Sequence, residues 1–286
     1  MRPASEAAAT ANLLALGAIG LWALLAALGV ALAHIPPFLL TGLALLVGAL
    51  PSVPFARHWR IAPSTLGLGV YGLFGFHFLL FLALRNAPAV EANLINYLWP
   101  LLMVLLAPVV LRGVRLHRMH VLAALLGFAG AATAILGADA PTSGNPGWHW
   151  GYLLALGSAF IWASFSLLTR RVRHFPSAAV GLFALVSGLL SLLCHWALEP
   201  PASIGARDAA LIVVMGLGPM GAAFFLWDKA LKIGDARQIG ILSYLTPLAS
   251  TLVLVLAGGR GLGWNSAAAA CLIVGAAILG TRTGQV

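Results

Sequence analysis

Ten apolar runs of about 20 residues each, separated by short stretches of turn chemistry, leave this 286-residue chain few ways to fold. A helix of roughly 20 apolar residues spans the hydrocarbon core of a bilayer. Within that layer every backbone polar group must be satisfied, so successive runs read as spanning helices. They cover approximately 12–33, 38–56, 64–85, 88–111, 117–137, 148–170, 175–198, 207–231, 235–257 and 264–282. Between them lie Pro36-Pro37, Ala62-Pro63-Ser64, Asn86-Ala87-Pro88, Pro141 to Gly147, Pro200-Pro201 and Gly258-Gly259, all turn or breaker sequences. The second run is the shortest. With 61% hydrophobic and 8% charged residues, the chain departs from soluble domains, which hold about 45–50% and about 25%. A water-soluble globule is excluded. Cys194 and Cys271 both fall inside apolar runs and read as small buried hydrophobes.

The runs repeat. Leu13-Leu14-Ala15-Leu16-Gly17 recurs as Leu153-Leu154-Ala155-Leu156-Gly157, and Trp22-Ala23 recurs as Trp162-Ala163, at an offset of 140. A removable leader would have no reason to mirror an internal helix, so the first run reads as a span. At an offset of 147, Leu84, Ala89, Tyr97, Leu98, Pro100 and Leu101 match Leu231, Ala236, Tyr244, Leu245, Pro247 and Leu248. Gly69 and Phe78 match Gly216 and Phe225 at the same offset. The expected fold is therefore an all-α polytopic membrane protein: ten transmembrane helices in two five-helix halves, 1–143 and 144–286, forming one integrated membrane domain. Five is odd, so the second half enters from the opposite side and the repeats are inverted.

Charge agrees. With the N-terminus cytoplasmic, 13 of the 16 basic residues fall inside and Arg85, Arg207 and Arg260 fall outside. That is the asymmetry of cytoplasmic loops. It accounts for the net charge of +9 without nucleic acid.

Polar groups deep in an apolar helix are costly and mark function. Asn93, Asn96, Tyr97, Trp99 and Pro100 cluster on the fourth run, and Pro100 deprives the Asn96 carbonyl of its helical partner. Ser243, Tyr244 and Pro247 repeat the pattern on the ninth, with Thr246 standing where Trp99 stands. Pro219, within Gly216 to Gly221, does the same on the eighth. Each proline reads as a structural kink or as a hinge. Of the seven acids, Glu6, Asp139, Glu199 and Asp208 lie in tails or outer loops, while Asp228 and Asp235 flank an inner boundary among Lys229, Lys232 and Arg237. Glu91 lies one turn into the fourth run, where it can cap the helix, pair with Arg85, or serve a substrate ammonium or a gate. His77 is the histidine placed mid-span, among Tyr71, Phe74, Phe78 and Phe81, and reads as packing or as pore lining. Trp59, Trp148, Trp150, Trp196 and Trp264 sit near run ends and suit interfacial anchoring. Trp22, Trp99 and Trp162, with Trp227, lie deeper; a two-fold axis would set Trp22 against Trp162 across a cavity. No metalloprotease, nucleophile-elbow, P-loop or dinucleotide signature is present, so neither enzymatic chemistry nor a cofactor or metal is expected.

Phe160-Ile161-Trp162-Ala163, Asn96-Tyr97-Leu98-Trp99-Pro100 and Ser243-Tyr244-Leu245-Thr246-Pro247 resemble the drug/metabolite transporter superfamily, EamA type. Glu91 followed by Asn96 to Pro100 is similar to its YddG-type amino acid exporters of bacterial inner membranes. The likeness covers essentially the whole chain. It implies export of aromatic and other neutral amino acids through a central cavity lined by runs 1, 3, 4, 6, 8 and 9. It also implies site roles for Glu91, Asn96, Tyr97, Trp99, Trp162 and Tyr244. The expected partners are a small-molecule substrate and the lipid bilayer. Trp22, His77, Asn96, Tyr97, Trp99, Trp162, Ser243 and Tyr244 form the expected substrate site; Glu91, Pro100, Pro219 and Pro247 form the expected gating set. A different solute on the same fold, such as a purine-like metabolite or sugar derivative, is the alternative; an intramembrane enzyme or a scaffold is the more distant one. One carboxylate and one histidine fit proton antiport and facilitated diffusion alike.

Overall fold

The computed structural model describes residues 4–136, 149–258 and 264–282. The Pro141 to Gly147 connection, the halves' boundary, Arg2, Asp139, Trp148, Gly259 and Arg260 lie outside them. Ten helical segments follow one another: α1 (Ala4–Ala31), α2 (Pro37–Trp59), α3 (Pro63–Asn86), α4 (Ala89–Val110), α5 (Arg118–Leu136), α6 (Gly151–Leu168), α7 (Ser177–Leu198), α8 (Ala206–Ile233), α9 (Ala236–Leu256) and α10 (Trp264–Arg282). The first nine are long and apolar enough to cross a membrane, and in α10 the apolar stretch is Trp264–Gly280. The chain is a multi-pass membrane protein.

Two boundaries differ from the sequence reading. α1 starts eight residues earlier than expected, because Ala7, Ala8 and Ala9 favour helix although Glu6, Thr10 and Asn12 lower the local hydropathy. Thr10 Oγ1 donates to Glu6 O at 2.8 Å within that first stretch. α2 is α-helical only to Ala49 and tightens into a 3₁₀ segment over Leu50–Trp59. Pro51 and Pro54 withhold two N–H groups there, and the ladder cannot continue regularly.

The packing is two-fold. α1 lies against α8 and α9 of the other half, just as α6 lies against α3 and α4; α2 pairs with α7 and α5 with α10. The halves interlock rather than sit side by side. Without a hydrophobic drive between helices in lipid, such interlocking relies on close approach of small residues. A Cβ on Gly48 would stand 2.6 Å from Met220 O and 2.8 Å from Gly216 O, so α2 crosses α8 backbone against backbone. A Cβ on Gly72 would stand 2.3 Å from the Phe165 ring, which seats α3 on α6 in the same way.

The helix irregularities also come in pairs. α3 carries a π-turn at Tyr71–Gly75 and α8 one at Gly218–Ala222, 147 positions apart. α4 is broken between Ala89–Asn96 and Trp99–Val110, and α9 between Ala236–Leu242 and Leu245–Gly258. At each break the hydrogen bonding tightens: Leu98 N bonds Ile95 O at 3.0 Å and Tyr244 N bonds Ile241 O at 3.2 Å. Pro100, the second residue of its following segment, and Pro247, the third of its own, have no N–H to continue the ladder. All four irregularities surround the middle of the bundle.

Candidate functional site

Four indoles fill that middle. Trp22 and Trp162 meet edge-on with ring centroids 5.8 Å apart, as the repeat predicts. Trp227 lies 5.1 Å from Trp22 and 5.6 Å from Trp99, and Trp99 lies 6.3 Å from Trp162. Phe76 and Phe224 close the cluster at 5.3 and 5.7 Å from Trp162. Aromatic pairs at these separations contribute about 0.5–1.5 kcal/mol each beyond their buried area. The cluster is thus a stiff plug.

Their polar edges are taken by the irregular backbone and by serines. Trp22 Nε1 donates to Pro219 O at 3.2 Å, a carbonyl of the α8 π-turn. Trp227 Nε1 donates to Ser166 Oγ at 3.2 Å. His77 Nδ1 lies 2.6 Å from Leu73 O in the α3 π-turn. Since a carbonyl only accepts, Nδ1 carries a proton. Both π-turns therefore present a carbonyl that orients a ring of the site, consistent with the frequent placement of such turns at functional sites.

Above the plug lies a cavity of about 450 Å³, within the roughly 300–1,000 Å³ usual for small-molecule sites. Trp22, His77, Asn96, Tyr97, Trp99, Trp162 and Pro247 line it, together with Asn93, Thr41, Phe76, Met215, Met220, Phe224, Thr246 and Ser250. Aspartate, glutamate, lysine and arginine are absent from this lining. Asn96 is fixed from behind: Ser158 Oγ of α6 lies 2.8 Å from its Oδ1. The lining extends along α1 to Gly29, on α5 to Ile135 and on α9 to Ser250. These positions approach the end of the bundle where α1 finishes and α2 begins. The cavity therefore opens toward that end.

The other end, which carries most of the arginines and lysines, is closed. Lys232 Nζ donates to Phe175 O at 2.8 Å and pairs with Asp228 at 2.6 Å. Arg170 donates to Gly234 O at 2.8 Å, and Arg237 reaches Arg115 O. The loops that follow α4, α6 and α8 are drawn together beneath the indoles by these bonds.

Several expected site residues sit elsewhere. Ser243 and Tyr244 are fully buried behind the wall. Ser243 Oγ donates to Gly240 O, and Tyr244 packs on α5 so closely that a Cβ on Gly127 would touch its ring at 2.3 Å. Inversion is the reason. The open half of α4 precedes its break and presents Asn93, Asn96 and Tyr97, whereas the open half of α9 follows its break and presents Thr246, Pro247 and Ser250. Pro100 is buried behind Trp99, and Pro219 serves through its carbonyl. Arg85 pairs with Glu199 at 2.8 Å and not with Glu91, whose Oε2 is buried without a hydrogen-bond partner. Phe224 was not singled out by the sequence reading, although it is the 147-offset counterpart of His77 and stands 6.4 Å from it.

Paired helix breaks around a mid-bundle cavity, two interlocked inverted halves and no charge in the lining define a membrane transporter of the inverted-repeat class. The chain belongs to the EamA-like transporter family, which matches it twice, at residues 9–136 and 149–282. It is 40% identical over 280 residues to the aromatic amino acid exporter YddG of Ancylobacter novellus, covering 95% of this chain and 97% of that one. The aromatic amino acid exporter YddG of Escherichia coli K12 is 27% identical over 219 residues, 71% of each chain. A solved crystal structure superposes with a TM-score of 0.90 at 38% identity, over 98% of this chain and all of that one.

Proposed function

We propose that this protein is a secondary transporter of a bacterial inner membrane that exports aromatic and other neutral amino acids from the cytoplasm by alternating access. The observation that carries this reading is the lining itself: indoles and phenylalanines on one side, amides and hydroxyls on the other, and no net charge. Such a cavity suits a solute that is neutral overall yet strongly dipolar, with an apolar side chain. The similarity to the YddG exporters supports the same solute class. The 13-to-3 division of basic residues supports cytoplasmic termini, so the cavity in this conformation faces the exterior.

Trp22, Trp99 and Trp162 take the side chain, and Asn96, Tyr97 and His77 offer hydrogen bonds. Pro100, Pro219 and Pro247 fix the breaks and the π-turn about which α3–α4 and α8–α9 bend, with Glu91 at the mouth of α4 tuning the gate. Proteoliposomes loaded with labelled tryptophan, phenylalanine or threonine test the proposal. Flux of tryptophan and phenylalanine is expected, with Trp162→Ala slowing it by about tenfold or more through loss of an aromatic anchor. Absence of flux for all three, with reconstitution verified, overturns the amino acid assignment.

A further inference from the structure

The inverted repeat lets the open half of the path be read onto the closed half. Counterpart residues meet along the axis that relates the halves: Trp22 with Trp162 at 5.8 Å, and His77 with Phe224 at 6.4 Å. Gly42 and Gly188, 146 positions apart, meet reciprocally. A Cβ on Gly42 would stand 3.1 Å from Gly188 O, and one on Gly188 would stand 3.0 Å from Gly42 O. These contacts fix the register, so residues of the open cavity have counterparts on the way to the basic end.

The counterparts are more polar. Ala26, Gly29, Thr41 and Phe81 line the open cavity. At offsets of 140, 140, 146 and 147 stand Ser166, Thr169, Ser187 and Asp228, all buried while the basic end is closed. The Ser187 hydroxyl has no hydrogen-bond partner. A buried polar group left over calls for a reason, and opening of that end, which lets water reach it, supplies one.

Asp228 is the largest change. Where Phe81 gives the open mouth an apolar wall, its counterpart is a carboxylate, 6% exposed and one turn from Lys232. Among the described residues its hydrogen bonds fall on Oδ2 alone, from Lys232 Nζ at 2.6 Å, which leaves Oδ1 unpaired. The three N–H groups of Lys232 go to Asp228 Oδ2, Phe175 O and Ser177 Oγ, the last two at the start of α7. Separation of α8 from α7 therefore frees two donors on the ammonium beside an unpaired carboxylate oxygen. An α-amino acid head group, with its own ammonium and carboxylate side by side, is the complement, and both bonds are charge-assisted.

We infer that Asp228 and Lys232 form the head-group site of the cytoplasm-facing cavity, Asp228 taking the solute's ammonium and Lys232 its carboxylate. This rests on the amino acid reading above and adds to it where the solute is first recognised. The same two Lys232 donors hold the solute when the end is open and hold α7 when it is closed. Closure thus displaces the head group toward the indoles. The open mouth has no such pair, so the head group is read on the side where an exporter collects its solute and not on the side of release.

The test measures uptake of tritiated L-tryptophan into inside-out vesicles from cells producing the full-length protein, which present the basic end to added solute. Competitors are N-acetyl-L-tryptophan, which lacks the ammonium, and L-tryptophanamide, which lacks the carboxylate. In the wild type each should inhibit about tenfold or more less well than L-tryptophan, the usual worth of a hydrogen bond to a charged group. In right-side-out vesicles the gap should be smaller. Asp228→Asn should raise the L-tryptophan concentration for half-maximal uptake about tenfold and leave the inhibition constant of N-acetyl-L-tryptophan unchanged, and Asp228→Glu should restore the wild-type order. Equal weakening of both compounds by Asp228→Asn, or of neither, overturns the inference. So does a wild type that discriminates equally from both faces, a measurement that needs no variant to fold. A wild type that moves no tryptophan, phenylalanine or threonine into either kind of vesicle overturns instead the reading on which the inference rests.

Discussion

Arg85 and Lys232 stand 147 positions apart, at the same place in the two halves and at opposite ends of the bundle. Each cation lies over a phenylalanine ring, Arg85 Cζ at 5.7 Å from Phe38 and Lys232 Nζ at 3.9 Å from Phe175. Their counterions differ. Lys232 pairs with Asp228, one turn back on its own helix, and reaches α7 only through Phe175 O and Ser177 Oγ. At the position equivalent to Asp228, α3 has Phe81, so Arg85 pairs with Glu199 at the far end of α7. The Glu199 carboxylate, buried although the residue as a whole is not, also accepts from Phe38 N and Leu39 N at the start of α2 and from His195. When α8 moves away from α7, Lys232 takes its counterion along, and what is broken is the contact with the Phe175 ring and hydrogen bonds to neutral groups. When α3 moves away from α7, an ion pair is broken and a carboxylate is left buried. The basic end thus keeps its charge pair within one helix, whereas the Arg85 end ties α2, α3 and α7 through one shared carboxylate.

The largest effect is expected at Glu199. Glu199→Gln leaves Arg85 without its counterion and weakens the acceptor for two helix-start amides. Breaking a buried pair by removing one partner costs about 3–5 kcal/mol, and less where one member is partly exposed as Arg85 is. A thermal unfolding scan in detergent should show Glu199→Gln as the least stable of the variants discussed here. A midpoint within a degree of wild type would show that the latch does not hold the three helices.

The next effect is conformational. With Cys194 and Cys271 replaced, a cysteine at Thr169, at the buried basic end of α6, reports opening there by its rate of thiol labelling. Replacing the pair together, Lys232→Met with Asp228→Leu, removes two hydrogen bonds to the α7 side without leaving an isolated charge. At about 1 kcal/mol each, their loss should raise labelling by roughly thirtyfold. Arg85→Met should leave labelling unchanged or lower it. Equal increases from both would erase the distinction between the two ends.

The sequence carried the architecture because spans, repeats and loop charge are each written locally. Ten apolar runs, two offsets and a 13-to-3 split of basic residues needed no tertiary information. The Tyr97–Pro100 wall was equally legible, since a proline after a polar turn breaks a helix wherever it stands. Its copy at Ser243–Pro247 was misread in detail: two helices running in opposite directions show opposite sides of their breaks to one cavity, so Thr246 lines it and Tyr244 does not. Glu199 was hidden for another reason. It lies in an ordinary loop sequence, and its partners Arg85, Phe38 and Leu39 come from 114 to 161 residues away. The π-turns left a faint signal in the glycine-rich Gly216 to Gly221 and none that could be recognised in Tyr71–Gly75.

The smallest effect distinguishes the two ends by pH. Asp235 lies between α8 and α9 at the basic end, accepts from Arg237 N at 2.8 Å as the cap of α9, and pairs with the Arg237 guanidinium. Burial pushes its carboxyl up, but the hydrogen bonds and charge of Arg237 pull it further down, and the net position is below the usual carboxylate range. A depressed folded value means that the stabilisation is complete above the ordinary aspartate pKa of about 3.9. It is lost only as pH falls through the lower, folded value. Asp235→Asn, which keeps a capping side chain, should therefore lower stability at neutral pH by about 1 kcal/mol or less through loss of the ion pair with Arg237. The gap to wild type should stay constant from pH 8 to about pH 5 and narrow in more acid solution. A gap that closes already near neutrality would mean that another group titrates at this end, and the basic end would then be released by protonation rather than by the movement of Lys232 and Asp228 as a unit.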